Sequence, residues 1–266
     1  MSDVNLGSLT EALGLRSVRV LKRGNAGVCC SVERNGIRLF LKASHLLERD
    51  RILAEYSGLQ ALRLATEQSS YLRVPNIHEV GEDQEVAFML TEWIDSETSG
   101  QVSETKLGLG LAELHLGVVA SSKTEQANRY GLATDNYIGD TAQSNRQHVS
   151  WQAFFLEERL RPMVDRIRSS GYWESSWDES WQALQIRIPQ LLPDRPPVSV
   201  LHGDLWNGNA IASAGGYWYL IDPAYYLGHA ETDLAMMRLF GGFSRTVFDA
   251  YDSVLVPDPG RAEREG

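Results

Sequence analysis

His202, Gly203, Asp204, Leu205, Trp206, Asn207, Gly208 and Asn209 follow one another, and a further acidic residue, Asp222, comes soon after. The pattern His-x-Asp-x-x-x-x-Asn, then a short hairpin, then Asp, is the spacing that phosphoryl transfer from a nucleotide uses. In that chemistry Asp204 accepts the proton of the attacking hydroxyl. Asn209 and Asp222 hold Mg2+ against the phosphates of ATP. His202 is expected to brace the loop by hydrogen bonding rather than to touch substrate. Taken alone, Asp204, Asn207 and Asn209 are also ordinary residues of a glycine-containing turn. What lies upstream decides between the two readings.

Three upstream features fit phosphate handling. Gly24, Asn25, Ala26 and Gly27 form a turn between two strands, where backbone N–H groups can approach a phosphate, although glycines in a hairpin are often only a turn. Lys42 ends the third strand and can reach the α- and β-phosphates. Glu55, in the helix that follows, can pair with Lys42 and fix it, with Glu48 as the competing partner. Other nucleotide signatures are missing. There is no GxxxxGK[ST] loop and no G-x-S-x-G elbow. Gly108-x-Gly110 sits in a leucine-spaced helical pattern with no strand leading into it, so it is not a dinucleotide fingerprint.

The elements that must carry these residues divide the chain in two. Val18 and Val20 mark a first strand, residues 28–33 a second and residues 38–42 a third, with Asn35-Gly36 as a two-residue hairpin turn. Ser44 is placed to cap a helix over residues 45–66, with Leu53, Tyr56, Leu59 and Leu62 on its buried stripe. Strands are expected around residues 77–80 and 86–93. Beyond Asp95 the pattern turns helical over residues 105–117, with Leu107, Leu111 and Leu114 on one face. Residues 130–147 read as a loop. Ser150 caps a helix over 151–168 that should bury Phe154, Phe155, Met163, Val164 and Ile167, and another helix spans 176–192. Short strands at 198–201 and 217–221 flank the motif, a helix runs over 231–240, and residues 257–266 read as a frayed tail. The expectation is an α+β protein with a β-rich first lobe, residues 1–93, and a mainly helical second lobe, residues 94–266.

Composition narrows the partners. A net charge of −10 argues against a nucleic-acid backbone or an anionic membrane surface as the main partner. No apolar run is long enough for a membrane helix. The start of the chain lacks a basic-then-apolar signal layout, so a cytoplasmic location is the default expectation. The two cysteines, Cys29 and Cys30, are adjacent, which gives no disulfide framework, and the six histidines show no zinc spacing.

The run His202-Gly203-Asp204-Leu205-Trp206-x-Gly208-Asn209 resembles the fructosamine-kinase (ketosamine-3-kinase) family, relatives of the aminoglycoside phosphotransferases within the protein-kinase-like fold. Leu90-Thr91-Glu92-Trp93, Asp135-Asn136-Tyr137-Ile138-Gly139, Trp151 with Phe154-Phe155, Arg159-Leu160, Ile221-Asp222-Pro223-Ala224 and Asp233-Leu234-Ala235-Met236 agree with it. The resemblance implies a bilobal kinase-like fold and ATP-dependent phosphorylation of the O3 hydroxyl of a sugar joined to an amine through an Amadori linkage. The 3-phosphate then leaves and frees the amine, a deglycation repair activity on free or protein-bound glycated amines. It further implies Glu92, Trp93 and Ile94 as the adenine-contacting hinge and Asp233 as a brace of the catalytic loop. Trp206, Asn136 and Tyr137 fall to the substrate side, with Trp206 alternatively a core tryptophan. Three departures stand out. Asn207 replaces the usual serine, the turn before Cys29 lacks paired glycines, and the chain stops where the family continues with a further helical stretch. Monomer and homodimer both fit. Cys29 reads as a small buried hydrophobe or a redox-sensitive thiol able to form an intermolecular disulfide. Two rival readings remain: an aminoglycoside- or choline-like phosphotransferase, and a catalytically weak kinase-like binding module.

Overall fold

A computed structural model describes residues 4–24, 27–96, 102–121 and 128–265. The turn residues Asn25 and Ala26 lie outside the described residues. Helix α1 (Leu6–Ala12) leads into strands β1 (Arg16–Gly24), β2 (Gly27–Arg34) and β3 (Ile37–His45), then helix α2 (Arg49–Thr66). The two-residue strand β4 (Leu72–Arg73), β5 (Ile77–Asp83) and β6 (Val86–Glu92) follow. Five of these strands form an antiparallel sheet ordered β1-β2-β3-β6-β5. Asn35 and Gly36 close the β2–β3 turn with left-handed dihedrals, φ 54° and 79°, as a type I′ hairpin requires. Alternation along the strands gives the sheet two faces. Val28, Cys30, Leu41 and Phe88 point back and pack with Leu9 of α1. The front face is turned to α2 and the cleft.

The second part contains α3 (Glu104–Ser121), the hairpin β7 (Asn136–Ile138) and β8 (Thr141–Gln143), α4 (Trp151–Phe154), α5 (Arg161–Ser169) and α6 (Asp178–Leu191). Strands β9 (Ser199–Leu201), β10 (Ala210–Ala212), β11 (Trp218–Leu220) and β12 (Tyr226–Gly228) follow, then helices α7 (Glu231–Phe240), α8 (Arg245–Asp252) and α9 (Arg261–Glu265). β11 pairs with β10 and also, in parallel, with β4, which stitches the two parts together. Leu107, Leu111 and Leu114 of α3 are fully buried against Leu205, Leu234 and Val247. Each such side chain contributes about 2 kcal/mol on leaving water. Gly108 lets α3 meet α8 closely, since a Cβ there would come 2.1 Å from the Val247 carbonyl oxygen. None of the described helices is long and apolar enough to cross a membrane.

Several local expectations are corrected. Ser44 does not cap the helix after β3. The chain enters it through a 3-10 turn, Leu46–Glu48, whose first amides are capped by the His45 ring, with Leu47 N donating to Nδ1. The buried stripe of α2 runs through Ile52, Leu59 and Leu62, and Leu53 faces solvent. The helix expected over 151–168 is interrupted by a π turn, Phe155–Leu160. The extra residue in that turn shifts the helical phase. Glu158 is carried inside, where it accepts from Ser144, Arg146 and His148, while Met163 and Ile167 turn outward. Residues 130–147 hold the β7–β8 hairpin rather than loop alone. Residues 257–265 are not frayed. Arg261 is buried and paired with Asp252 and Glu265, Arg264 is paired with Glu231, and Arg238 with Glu265.

Candidate active site

Strand β3 and helix α2 present the first half of the site. Lys42 Nζ lies 2.5 Å from Glu55 Oε2 and 3.2 Å from Asp222 Oδ1. Glu48 is engaged elsewhere, with Arg51. Burial opposes the charge on Lys42, but the two carboxylates more than reverse this and lift its pKa above the ordinary lysine range. Burial pushes the Glu55 carboxyl up, and Asp222 beside it adds to the push. Burial also works against Asp222, yet Lys42 holds its carboxyl below the usual range. Of the two carboxylates sharing one ammonium, Glu55 therefore takes up a proton first.

The second half is built on the loop after β9. Gly203 adopts φ 80°, and a Cβ there would come 2.1 Å from the Ala224 carbonyl oxygen, so the loop can pass only as glycine. The Asp233 carboxylate accepts from His202 N at 2.8 Å and Gly203 N at 2.9 Å. It also meets His115 Nε2 at 3.3 Å, and His115 Nδ1 meets the Tyr251 hydroxyl at 2.9 Å. His202 is fully buried. Its Nε2 lies 2.9 Å from the Ile221 carbonyl oxygen, which can only accept, so the ring proton sits there and Nδ1 accepts from Asp204 N. Burial lowers the pKa of His202, which keeps that tautomer neutral. Asn209 Nδ2 donates to the Asp204 backbone oxygen at 2.8 Å and to its Oδ2 at 3.2 Å. Burial raises the Asp204 carboxyl above the ordinary aspartate value. Asp222, on the turn after β11, holds φ 52°, a left-handed conformation that aspartate tolerates better than bulkier residues.

The two halves face one cleft of about 460 Å³. Gly24, Gly27, Lys42, Glu55, Asp204, Asn209 and Asp222 all line it, as do Asn136, Tyr137 and Trp206. A smaller pocket of about 170 Å³ adjoins it and shares Glu55 and Asp222. Its walls are apolar, with Phe40, Leu59, Met89 and Ile221, and Glu92, Trp93 and Ile94 close one side. The Glu92 side chain is committed to bracing: it accepts from Asn76 N and Nδ2, and from the Tyr219 hydroxyl at 3.3 Å. Trp93 is held by its indole N–H to Asp95 and by the Arg38 guanidinium, 3.7 Å over the ring.

Trp206 is 40% exposed, so it is not a core tryptophan. Its ring lies on Gly208, where a Cβ would come 2.3 Å from the indole. Asn207 packs against Gly242 in the same crowded manner. Asn136 stands in the cleft wall with its carboxamide engaged: Oδ1 accepts from Asn145 and Nδ2 donates to the Tyr225 carbonyl oxygen. Cys29 also lines the cleft, and burial pushes its thiol up to about 11, against a readily oxidised thiolate. Sequence reasoning missed Arg51, Asp140, Lys22 and Ser44 on the cleft wall, and Leu21, Phe40 and Ile211 in the apolar pocket. Phe40 had a usable signal, because it sits two residues before Lys42 on the same strand face.

Comparison with known proteins bears on the family and the fold. The family model described as fructosamine kinase matches residues 5–266. The mouse (Mus musculus) ketosamine-3-kinase is 31% identical, over 96% of this chain and 88% of its own. An Enterococcus faecium protein assigned as a ketoamine kinase is 31% identical, over 85% of this chain and 76% of its own. Among solved structures, a Thermobifida fusca protein assigned as a fructosamine-3-kinase superposes with a TM-score of 0.80 at 27% identity, covering all of this chain and 88% of that one. A thermostable mutant of the aminoglycoside phosphotransferase APH(4)-Ia shares the fold, with a TM-score of 0.60 at 15% identity over 97% of this chain and 85% of that one. The chain belongs to the fructosamine kinase family, and with it to the phosphotransferases of the protein-kinase-like fold.

Proposed function

We propose that this protein transfers the γ-phosphoryl group of ATP to the O3 hydroxyl of a ketosamine, a ribulosamine or fructosamine adduct that is free or protein-bound. The consequence is deglycation, because the 3-phosphate becomes a leaving group and the amine is released. The observation that carries the reading is the convergence of Lys42, Asp204, Asn209 and Asp222 on one cleft beside an apolar pocket. Glu92, Trp93 and Ile94 bound the pocket for adenine, and Gly24 and Gly27 flank the phosphates. The nucleotide lobe then comprises residues 1–93 and the acceptor lobe residues 94–266.

Asp204 accepts the O3 proton as O3 attacks. The new bond joins O3 to the γ-phosphorus, the bond between that phosphorus and the bridging oxygen breaks, and ADP leaves. A carboxyl raised by burial is a stronger base, and Asn209 Nδ2 holds it in place. Lys42, fixed by Glu55, anchors the α- and β-phosphates. The donor set suits Mg2+. Among the described residues no group of three or more His, Cys, Asp or Glu surrounds a common point. Asn209 and Asp222 supply only hard oxygens, and Asn209 has its N–H₂ engaged with Asp204, which leaves its carbonyl oxygen for a cation. Mg2+ takes few protein ligands and completes its shell with phosphate oxygens and water. When bound, it neutralises charge on the phosphates. Trp206 and Tyr137 offer aromatic faces to the sugar, and Asn136 positions the strand that carries Tyr137. The enzyme works in the cytoplasm as a monomer or homodimer.

The test is ADP production from purified protein with ATP and Mg2+, run beside ribulose-, fructose- and erythrulose-derived lysine adducts. The expected product carries phosphate on O3, read by NMR. Turnover of aminoglycosides with none of the three adducts consumed would replace this reading.

A further inference from the structure

One cation on the cleft roof is unused by the mechanism above. On β1, Val20 pairs with Cys30 and Lys22 pairs with Cys29, so Leu21 is an extra residue, a β-bulge. Regular alternation from Val20 would send Lys22 to the side of Cys30, the face covered by α1. The bulge turns it to the side of Cys29, and Cys29 pairs in turn with Lys42. Lys22, Cys29 and Lys42 thus form a row across three neighbouring strands, and all three line the cleft. Leu21 lines the adjoining apolar pocket. A single inserted residue delivers two consecutive side chains to the same working face.

Charge and hydrogen bonding say what Lys22 serves. The other cations of the cleft wall are committed: Lys42 to Glu55 and Asp222, and Arg51 to Glu48 and Asp140. Among the described residues Lys22 has no carboxylate within ion-pair distance, so its charge is uncompensated there. Ser44 lines the same cleft from the Lys42 face of β3. It is 2% exposed, and among the described residues its Oγ has no hydrogen-bond partner. Buried hydroxyls are seldom left unpaired unless water, a ligand or an ion completes them. Lys22 is exposed at the mouth of the cleft, and an ammonium and a hydroxyl that both face it suit a ligand rich in acceptor oxygens. The carboxylates of Glu55, Asp140, Asp204 and Asp222 stand on the same walls, and a polyphosphate must be drawn in against their field.

We infer that Lys22, re-aimed by the bulge at Leu21, is a phosphate-binding residue that grips the phosphate chain of the nucleotide. The inference rests on the phosphotransferase reading and adds to it a residue outside the Lys42–Glu55–Asp222 set. Lys22 is a binding residue and takes no part in proton transfer. Its loss acts on nucleotide affinity and leaves the chemical step nearly intact.

The experiment is calorimetric titration of the full chain with ATP, ADP and adenosine in the presence of Mg2+, with KM and kcat measured alongside. Lys22→Met is expected to weaken ATP and ADP by about tenfold, the scale of one partly solvated charge pair. Adenosine affinity should stay unchanged, and kcat within about threefold. Lys22→Arg should restore most of the nucleotide affinity. Wild-type affinity of Lys22→Met for ATP would overturn the inference, and so would an equal loss of adenosine, which would mark a general disturbance of the lobe. Failure of the underlying reading looks different: the unsubstituted protein would neither bind ATP nor consume it.

Discussion

Replacing Asp233 by Asn tests how the catalytic loop is held. The Asp233 carboxylate is 1% exposed and accepts from the backbone N–H groups of His202 and Gly203 and from His115 Nε2. An asparagine retains one acceptor oxygen and places an N–H₂ where the other stood, so at least one buried donor faces a donor. That unpaired group costs about 2 kcal/mol, and turning the remaining bonds from charge-assisted to neutral costs roughly 1–2 kcal/mol more. The sum, about 3–4 kcal/mol, should lower Tm by roughly 6–8 °C in a chain of this size. Turnover should fall further than ATP affinity, because residues 202–203 lead directly into Asp204. Burial alone would raise the Asp233 carboxyl, but its hydrogen bonds with His115 and the Gly203 amide hold it below the usual range. Its folded pKa therefore lies below its unfolded one. The stabilisation is complete at neutral pH and is lost as pH falls below about 4, through the folded pKa. The gap in Tm between the native protein and Asp233→Asn should accordingly narrow in acid. A Tm within about 2 °C of the native value, with unchanged kcat, would refute the bracing role.

Asp204→Asn should reduce turnover by about 10²-fold or more with ATP binding retained, measured by steady-state kinetics and calorimetry; near-native turnover would remove Asp204 as base. Because burial raises the Asp204 carboxyl, the acid limb of the kcat profile should fall off at a pH above the ordinary aspartate value of about 3.9, and a limb at or below that value would contradict the assignment. Arg261→Ala removes the ion-pair partner of Asp252 and leaves Glu265 with Arg238 alone, and should cost roughly 2 kcal/mol by thermal unfolding, with α9 opened to proteolysis; an unchanged Tm and cleavage pattern would return the tail to a passive role. Cys29, with its thiol pushed to about 11, should react with iodoacetamide at pH 7 roughly 10²-fold more slowly than a free cysteine and give no disulfide dimer on a non-reducing gel after mild oxidation.

The parts of the site legible in the sequence are those whose geometry is set by short-range spacing. Asp204 and Asn209 lie on one loop, and Lys42 and Glu55 are joined by a strand end and the first turns of a helix. Residue order then nearly dictates proximity. The misses share a different cause. A bulge at Leu21 inverts strand parity, so alternation from Val18 and Val20 assigns Lys22 to the wrong face. One extra residue in the π turn does the same to a helix and exchanges Glu158 for Met163 and Ile167 as the inward set. β7 and β8 have three residues each, too few to show a period. The tail is polar because it is held by ion pairs with Glu231, Arg238 and Asp252, partners remote in sequence, and polarity alone cannot be told from fraying.

The arrangement of braces explains why two separate loops can act as one site. His202 receives Asp204 N on one ring nitrogen and reaches the Ile221 carbonyl oxygen with the other, so a single neutral imidazole spaces the proposed base from the residue preceding Asp222. Its own backbone N–H is held by Asp233, which is held through His115 to Tyr251. α3, α7 and α8 thereby fix both acidic residues from below through buried, directional bonds. The tie from above is of another kind: Lys42 reaches Asp222 at 3.2 Å across the cleft while its shorter contact is with Glu55. A ligand that draws Asp222 toward a cation weakens only the longer contact and leaves Lys42 anchored to α2. On the proposed reading the lower loops keep their spacing while Lys42 exchanges one partner for a phosphate, which is the asymmetry a site needs if it is to load a nucleotide without losing the position of its base.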